Sequence, residues 1–599
     1  MTREYHYTWI YELKSPPEAL WPLVSDTNRF NRDTGQPPMK LLGFENGIKR
    51  VQYKVPLYKV EWEEEPFEWT YPYRFGILRR FRSGPLSEMR VDCRIERGEP
   101  TGSRLVYDVW AKPNGLLGHL AILVGIGMIG ARRFENAFRS YDDIAMRGGS
   151  VPVLGKEKNL SSNARSRLEV QIERLRTQGV DDQILLHLNE YMNYADDLSI
   201  QRMRPYALAD GWDLPRRPVL EAFLRATRLG MLDMYWDILC PECRGVTEDF
   251  SQLNDLQARS HCNTCKIDFT ANFDHNVEVV FRPNPSVREV DATLEFCVGS
   301  PQRQPHVIFS YIVPPGEELP FDTLLEEGRY NLRALDLPGS QAIFAISNGP
   351  KLLEISANES GWPAELTETD LTPKINLINQ TDQARTFELT RTAWSDQAAT
   401  AADVTVLQVF RDLFSNEVLR PGEEISVGSI TLMFTDLRGS TKLYRQIGDA
   451  PAFGRVREHF EILERVVRAE GGSIIKTMGD SVMAAFRRPA HALRAILEIQ
   501  RQIAENGTPP LRLKAGIHHG PCIVVNLNDR MDYFGSTVNI AARLPDLSSG
   551  GEAIFSESIR KDPEAQEFFE KNIQPKTLSR FQAEIRGYDE PFELWRMKV

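Results

Sequence analysis

Two aspartates, each set at the end of a short apolar run, constrain this chain more than any other feature. Ile430-Thr431-Leu432-Met433-Phe434 reads as a buried strand that ends in Thr435-Asp436-Leu437-Arg438-Gly439-Ser440-Thr441. A helix follows from near Ala450, with Phe453, Val456, Phe460, Leu463 and Val467 on one face and Gly471-Gly472 as its stop. Ser473 to Met478 and Ser481 to Phe486 then form a hairpin around Gly479-Asp480. A second helix (Ala492, Ala495, Ile496, Ile499, Ile503) precedes the strand Leu511 to Ile517. This βαββαβ order predicts a ferredoxin-like sheet.

In such a sheet Asp436 ends the first strand and Asp480 tips the adjacent hairpin. Adjacent strands lie ~4.8 Å apart, so the two carboxylates can share divalent ions, two of Mg2+ or Mn2+ per site. Leu437 adds a backbone ligand. The loop through Gly439, Ser440 and Thr441 offers backbone N–H groups to phosphate, and the glycine permits close approach.

These residues resemble the class III adenylate/guanylate cyclase domain, from about Val427 to Trp595. Phe434 to Thr441 is similar to its first metal motif. Lys476-Thr477-Met478-Gly479-Asp480 is similar to its second, with a purine-contacting Lys four residues before the metal Asp. Asp532-Tyr533-Phe534-Gly535-Ser536-Thr537-Val538-Asn539-Ile540-Ala541-Ala542-Arg543 holds three further family positions. The resemblance implies that Asp532 reads the base, Asn539 orients the ribose and Arg543 stabilises the charge on the transferred phosphate. It also implies a homodimer, Asp436 and Asp480 of one protomer facing Lys476, Asp532, Asn539 and Arg543 of its partner. Arg586 stands where the family usually has a phosphate-contacting Lys, and the two are not equivalent in reach or geometry.

Base choice follows from donors and acceptors. Asp532 can accept from the adenine N6 amino group and Lys476 can donate to N1, whereas guanine presents the opposite pattern. The expectation is therefore an adenylate cyclase that makes 3′,5′-cyclic AMP and pyrophosphate from ATP. The alternatives are a guanylate cyclase and a catalytically silent, ligand-binding signalling scaffold. His518 and His519 receive no role.

Cys240-Pro241-Glu242-Cys243 and Cys262-Asn263-Thr264-Cys265 are separated by eighteen residues. Two knuckles of this spacing can set four thiolates tetrahedrally around one structural zinc, with no position left for water. Cys93, Cys297 and Cys522 read as small core residues. This cysteine usage fits a reducing cytoplasm, and the net charge of −11 argues against nucleic-acid binding.

Upstream, the chain reads as a multidomain α+β protein. Residues 1–146 run strand, helix, many strands, then a long helix from about Gly115 to Met146. This order resembles the helix-grip fold of lipid-transfer and polyketide-cyclase-like proteins, and implies either an apolar ligand beneath the helix or a filled core. The apolar stretch Leu116 to Gly130, 15 residues long, is expected to be a buried helix too short to span a bilayer. A linker leads to a helical region (160–239), the zinc ribbon (240–275) and a small β-sandwich (276–396) in which Val277, Val279 and Phe281 alternate. A connector helix (397–425), striped by Val404, Leu407, Phe410, Phe414 and Val418, enters the catalytic domain (426–599). Met231 to Asp237, Pro305-His306-Val307 and Phe410 to Ser415 resemble a module found upstream of some bacterial cyclase domains.

Overall fold

The computed structural model describes the chain except residues 1–2, 46–47, 56–57, 99–100, 147–159, 196, 242–244, 263–266, 291–295, 298, 300, 305, 336, 338–339, 359–361, 363–366, 392–396, 416, 418, 420–424, 506–510, 528–529, 589 and 599. Pro305 and the start of the linker fall outside the described residues.

Some of the β-rich middle strands continue the N-terminal sheet, while Glu318–Asp322, Lys374–Asn379 and Leu352–Ala357 form a separate three-stranded sheet that shares a second core with them. Tyr5–Leu13, Ser103–Pro113, Leu86–Arg97, Arg74–Ser83 and Glu68–Thr70 pair in that order and continue into Val307–Val313 and Arg385–Arg391, within a 13-stranded sheet. At the junction Thr70 lies opposite Phe309 and Trp69 opposite Ser310. The Trp69 indole N–H donates to Val307 O at 3.1 Å. Cys297 lies in the N-terminal core, where the Thr27 hydroxyl donates to its Sγ at 3.0 Å. Cys93 and Cys522 are buried as well.

The long helix Gly115–Met146 divides into two halves. Its second half packs Phe134, Ala137, Phe138 and Tyr141 onto the sheet, where Phe30 stacks on Phe134 and Phe138 and the Tyr107 ring meets both at an angle. The first half departs from the expected buried helix. Leu116 is 89 % exposed and Leu117 79 %, and Leu120, Leu123, Met128 and Ile129 are also exposed. Glycines supply the physical reason. A Cβ on Gly118 would lie 2.2 Å from Pro85 O, and one on Gly127 3.0 Å from the Tyr7 ring. Gly118 and Gly127 therefore face the sheet, and the leucines around them point outward. The helix spans 32 residues with a window of mean hydropathy 1.6 and only 17 % buried, so length and composition suffice to cross a bilayer.

Helices Ser162–Thr177, Asp182–Tyr194, Pro205–Gly211 and Arg216–Arg228 lead into strand β1 (Leu232–Leu239). Strand β2 (Val277–Pro283) pairs with β1 along its length. The alternating Val277, Val279 and Phe281 therefore belong to this helical unit and not to a sandwich starting at 276. Arg202 and Arg204 tie the unit together through Asp237 and Glu278 at 2.6–3.1 Å. Cys240 follows β1, and Cys262 ends the first strand of the hairpin Arg259–Cys262/Ile267–Thr270; the two are buried together. Cys243 and Cys265 lie outside the described residues.

The single connector helix is replaced by two short ones, α1 (Ala401–Thr405) and α2 (Gln408–Leu413). Val406 and an extended Leu407 separate them. Val404, Leu407 and Phe410 of the stripe are buried and Phe414 is partly so, while Val418 lies outside the described residues.

The catalytic region comprises β3 (Ile425–Leu437), α3 (Ser440–Ile447), α4 (Asp449–Ala469), β4 (Ser473–Met478), β5 (Ser481–Phe486), α5 (Pro489–Glu505), β6 (Leu513–Leu527), β7 (Arg530–Phe534), α6 (Ser536–Arg543), β8 (Glu552–Ser556), β9 (Leu578–Ala583) and β10 (Phe592–Lys598). The sheet order is β4-β5-β3-β6-β8-β10-β9, with β7 hydrogen-bonded to β6. Its first four strands have the order a βαββαβ unit demands. Met433, Val482, Ala484, Phe486, Ala515 and Ile517 face α4 and α5. Leu432, Phe434, Met483, Ala485, Val524 and Tyr533 face the other way, into a core shared with Trp236, Val409 and Phe410.

Candidate active site

The period-2 alternation of β3 buries Met433 and Leu437 against the helices and leaves Asp436 at the strand end, directly opposite Lys514 on β6. One Asp436 carboxylate oxygen accepts from the Ser481 hydroxyl at 2.8 Å, and the other lies 3.9 Å from Lys514 Nζ. Asp480 tips the β4–β5 hairpin next to Ser481, after Gly479 at φ 66°. Its Oδ2 is buried without a hydrogen-bond partner.

Asp436 and Asp480, the latter with a buried oxygen that lacks a partner, are the residues here that could hold a hard divalent cation. No group of three or more His, Cys, Asp or Glu that could hold a metal occurs among the described residues. Beside Asp480, His459 of α4 is 1 % exposed, and both ring nitrogens lack partners. Burial pushes its pKa down to about 4 against the opposing pull of Asp480, so the imidazole is neutral at pH 7.

The phosphate-approach loop is partly helical. Gly439 adopts φ 71° as the N-cap of α3, and Ser440 and Thr441 form the first helical turn. A Cβ on Gly439 would meet nothing within 4 Å. The N-terminus of α3 thus offers unpaired backbone N–H groups on an open side.

Lys476 on β4 and Asp532 on β7 come together, Nζ to Oδ2 at 2.6 Å. Asp532 is 5 % exposed, and its other oxygen accepts from the Tyr533 N–H at 2.8 Å. Asp436, Lys476, Ser481 and Val538 line one cleft of about 400 Å³, together with Phe434, Met478 and Ala542. Asn539 and Arg543 lie one turn apart on α6 and are exposed, on the stripe next to the cleft-lining Val538 and Ala542. Arg586 is exposed in the turn before Tyr588, whose hydroxyl reaches Ser536 O at 3.4 Å at the start of α6.

Sequence reasoning missed Ser481 and Lys514. The alternation Leu511-Arg512-Leu513-Lys514 is the signal that places a cation beside Asp436. His518 and His519 are occupied structurally, hydrogen-bonded to Ser556 Oγ at 2.7 Å and Thr431 Oγ1 at 2.9 Å.

Residues 423–582 match the family described as the adenylate and guanylate cyclase catalytic domain, and residues 165–346 match DUF5939, a family of unknown function. The adenylate cyclase of Lachancea kluyveri is 30 % identical over 174 residues, covering 24 % of this chain and 9 % of that protein. Adenylate cyclase 1 of Rhizobium meliloti (strain 1021) is 31 % identical over 137 residues, covering 20 % and 21 %. The match therefore spans less than a quarter of either curated relative. Among solved structures, the adenylyl cyclase CyaB from P. aeruginosa aligns with TM-score 0.25 and 22 % identity over 30 % of this chain and 96 % of that one. The C-terminal region carries a catalytic domain of the adenylate/guanylate cyclase class.

Proposed function

We propose that the protein is an adenylate cyclase. The observation that carries this reading is the pair Lys476–Asp532, a donor and an acceptor in hydrogen-bond contact beside the cleft that holds Asp436. An adenine edge, with an acceptor at N1 and a donor at N6, can replace that contact with one hydrogen bond to each residue. A guanine edge would set donor against donor and acceptor against acceptor.

In the reaction the ribose 3′-oxygen forms a bond to the α-phosphorus while the bond to the pyrophosphate oxygen breaks. The hydroxyl proton leaves to solvent. Asp436 and Asp480 would hold divalent ions, which supply charge neutralisation and lower the pKa of the attacking hydroxyl. Lys514 and the α3 N-terminus put positive charge where the phosphates lie. Arg543 stabilises charge on the transferred phosphoryl group, Asn539 positions the ribose, and Arg586 can hold terminal phosphate oxygens in a fork.

Asn539 and Arg543 lie on the exposed stripe of α6 outside the cleft, which supports a second copy of the chain completing the site. The paired burial of Cys240 and Cys262 supports a zinc ribbon upstream, and the fold order of residues 1–146 supports a helix-grip-like regulatory domain.

Full-length wild type and Asp480→Ala, incubated with ATP and Mn2+, test this reading. The expected result is cyclic AMP from the wild type and a loss of at least about 100-fold in the variant, with melting temperature unchanged. Equal turnover by both proteins contradicts it.

A further inference from the structure

We propose that helix α2 of the upstream module is a positioning element for base recognition, acting through Gln408 and Arg411. The inference rests on the cyclase reading above.

Lys476 and Asp532 sit on strands that do not pair with each other. Among the described pairings β4 bonds only to β5, and β7 only to β6. Each strand thus presents an edge whose backbone groups need a partner from elsewhere. Helix α2 supplies both. The Gln408 side-chain carbonyl accepts from the Ile474 N–H at 2.8 Å, two residues before Lys476. Arg411 Nη1 donates to Met531 O at 3.0 Å, the residue before Asp532. The Arg411 guanidinium also lies over the Tyr533 ring, 5.4 Å from its centroid, on the other side of Asp532.

These two side chains are themselves fixed. Gln408 Nε2 donates to Asp412 Oδ1 at 2.8 Å, which orients its amide, and Asp412 pairs with Arg468 at 2.5 Å. Arg411 Nε donates to Thr405 O at 2.9 Å. From behind, Phe410 meets Trp236 of β1 edge-on, with centroids 6.0 Å apart. Residues one helical turn apart on α2 therefore span the gap between the two base-reading strands, braced by the strand that leads to Cys240. The spacing of Lys476 and Asp532 is set by a helix outside the catalytic domain. Loosening α2 should blur discrimination between bases before it touches the carboxylate chemistry.

The test uses full-length Gln408→Ala, Arg411→Ala and Arg411→Lys, with steady-state kinetics on ATP and GTP and hydrogen exchange on the same proteins. Each alanine variant is expected to raise KM for ATP and lower the ATP-over-GTP ratio of kcat/KM by roughly five- to tenfold, with kcat for ATP within about twofold of wild type. Exchange should quicken in 473–478 for Gln408→Ala and in 530–534 for Arg411→Ala, while β3 stays protected. Arg411→Lys, which keeps one donor to Met531 O, should restore most of the discrimination.

Wild type that makes cyclic AMP, with variants that keep its nucleotide ratio, overturns this inference alone. A proportional loss of kcat on both nucleotides with a lowered melting temperature assigns α2 a merely structural role and also overturns it. Wild type that turns over neither nucleotide overturns the cyclase reading, and this inference with it.

Discussion

The two faces of the catalytic sheet are covered in different ways. On one, Met433, Val482, Ala484, Phe486 and Ile517 meet Leu463, Val467, Ile496 and Ile499, helices from the same domain and close in sequence. On the other, Leu432, Phe434, Met483, Ala485 and Tyr533 share a core with Trp236, Val409 and Phe410 from the upstream module. The first face makes the fold. The second makes the site: the cleft wall contributed by Phe434 and Val538 belongs to it, and so do the strand edges held by α2. On the proposed reading, stability and base recognition fall to opposite sides of one sheet, and the upstream residues pack mainly on the second.

Substitutions can break this division. The largest expected effect is on the helix-covered face. Phe486 is fully buried there, and Phe486→Ala should cost about 3–5 kcal/mol in urea denaturation with no selective effect on nucleotide choice. Phe410→Ala, on the other face, should lower stability by less than that and shift ATP-over-GTP preference, because α2 is released. If Phe486→Ala alters preference as strongly, the two faces are not separate in function.

Acid sharpens the same contrast. His518 is pushed down to about 4, mainly by burial and further by His519, whereas its unfolded value is near 6.5. Its neutral form is favoured in the fold, so its stabilising contribution is present above pH 6.5 and is lost as pH falls toward 4. Thermal melts from pH 7 to 4 should show this decline, and His518→Gln should reduce it in part, with His459 carrying a share of its own.

The smallest effect is expected far from the sheet. Leu117→Gln on the exposed half of the long helix should change stability by no more than about 0.5 kcal/mol. A buried helix would lose several times that.

The legibility of these features in the sequence follows the range of the interactions. The positions of Asp436 at a strand end and of Asp480 at a hairpin tip could be read because strand alternation and a Gly-Asp turn are local. Lys514 is equally local, one of two cations with Arg512 in a clean alternation, but only the register with β3 places it opposite Asp436. The exposed leucines of 116–129 misled because apolar content was taken for burial, whereas Gly118 and Gly127 decide which side meets the sheet. The pairing of Glu68–Thr70 with Val307–Val313 joins segments more than 200 residues apart, and no periodicity announces it. The covering of the second catalytic face by Phe410 is a tertiary choice of the same kind. A helical stripe records that a side chain is buried, not what buries it.

On the proposed reading this sheet cyclises ATP and reads its base through Lys476 and Asp532. The most direct measurement gives full-length protein equimolar ATP and GTP with Mn2+ and quantifies both cyclic products. Cyclic AMP is expected in at least about tenfold excess over cyclic GMP. Cyclic GMP in equal or greater amount, or no product from folded protein, would contradict it.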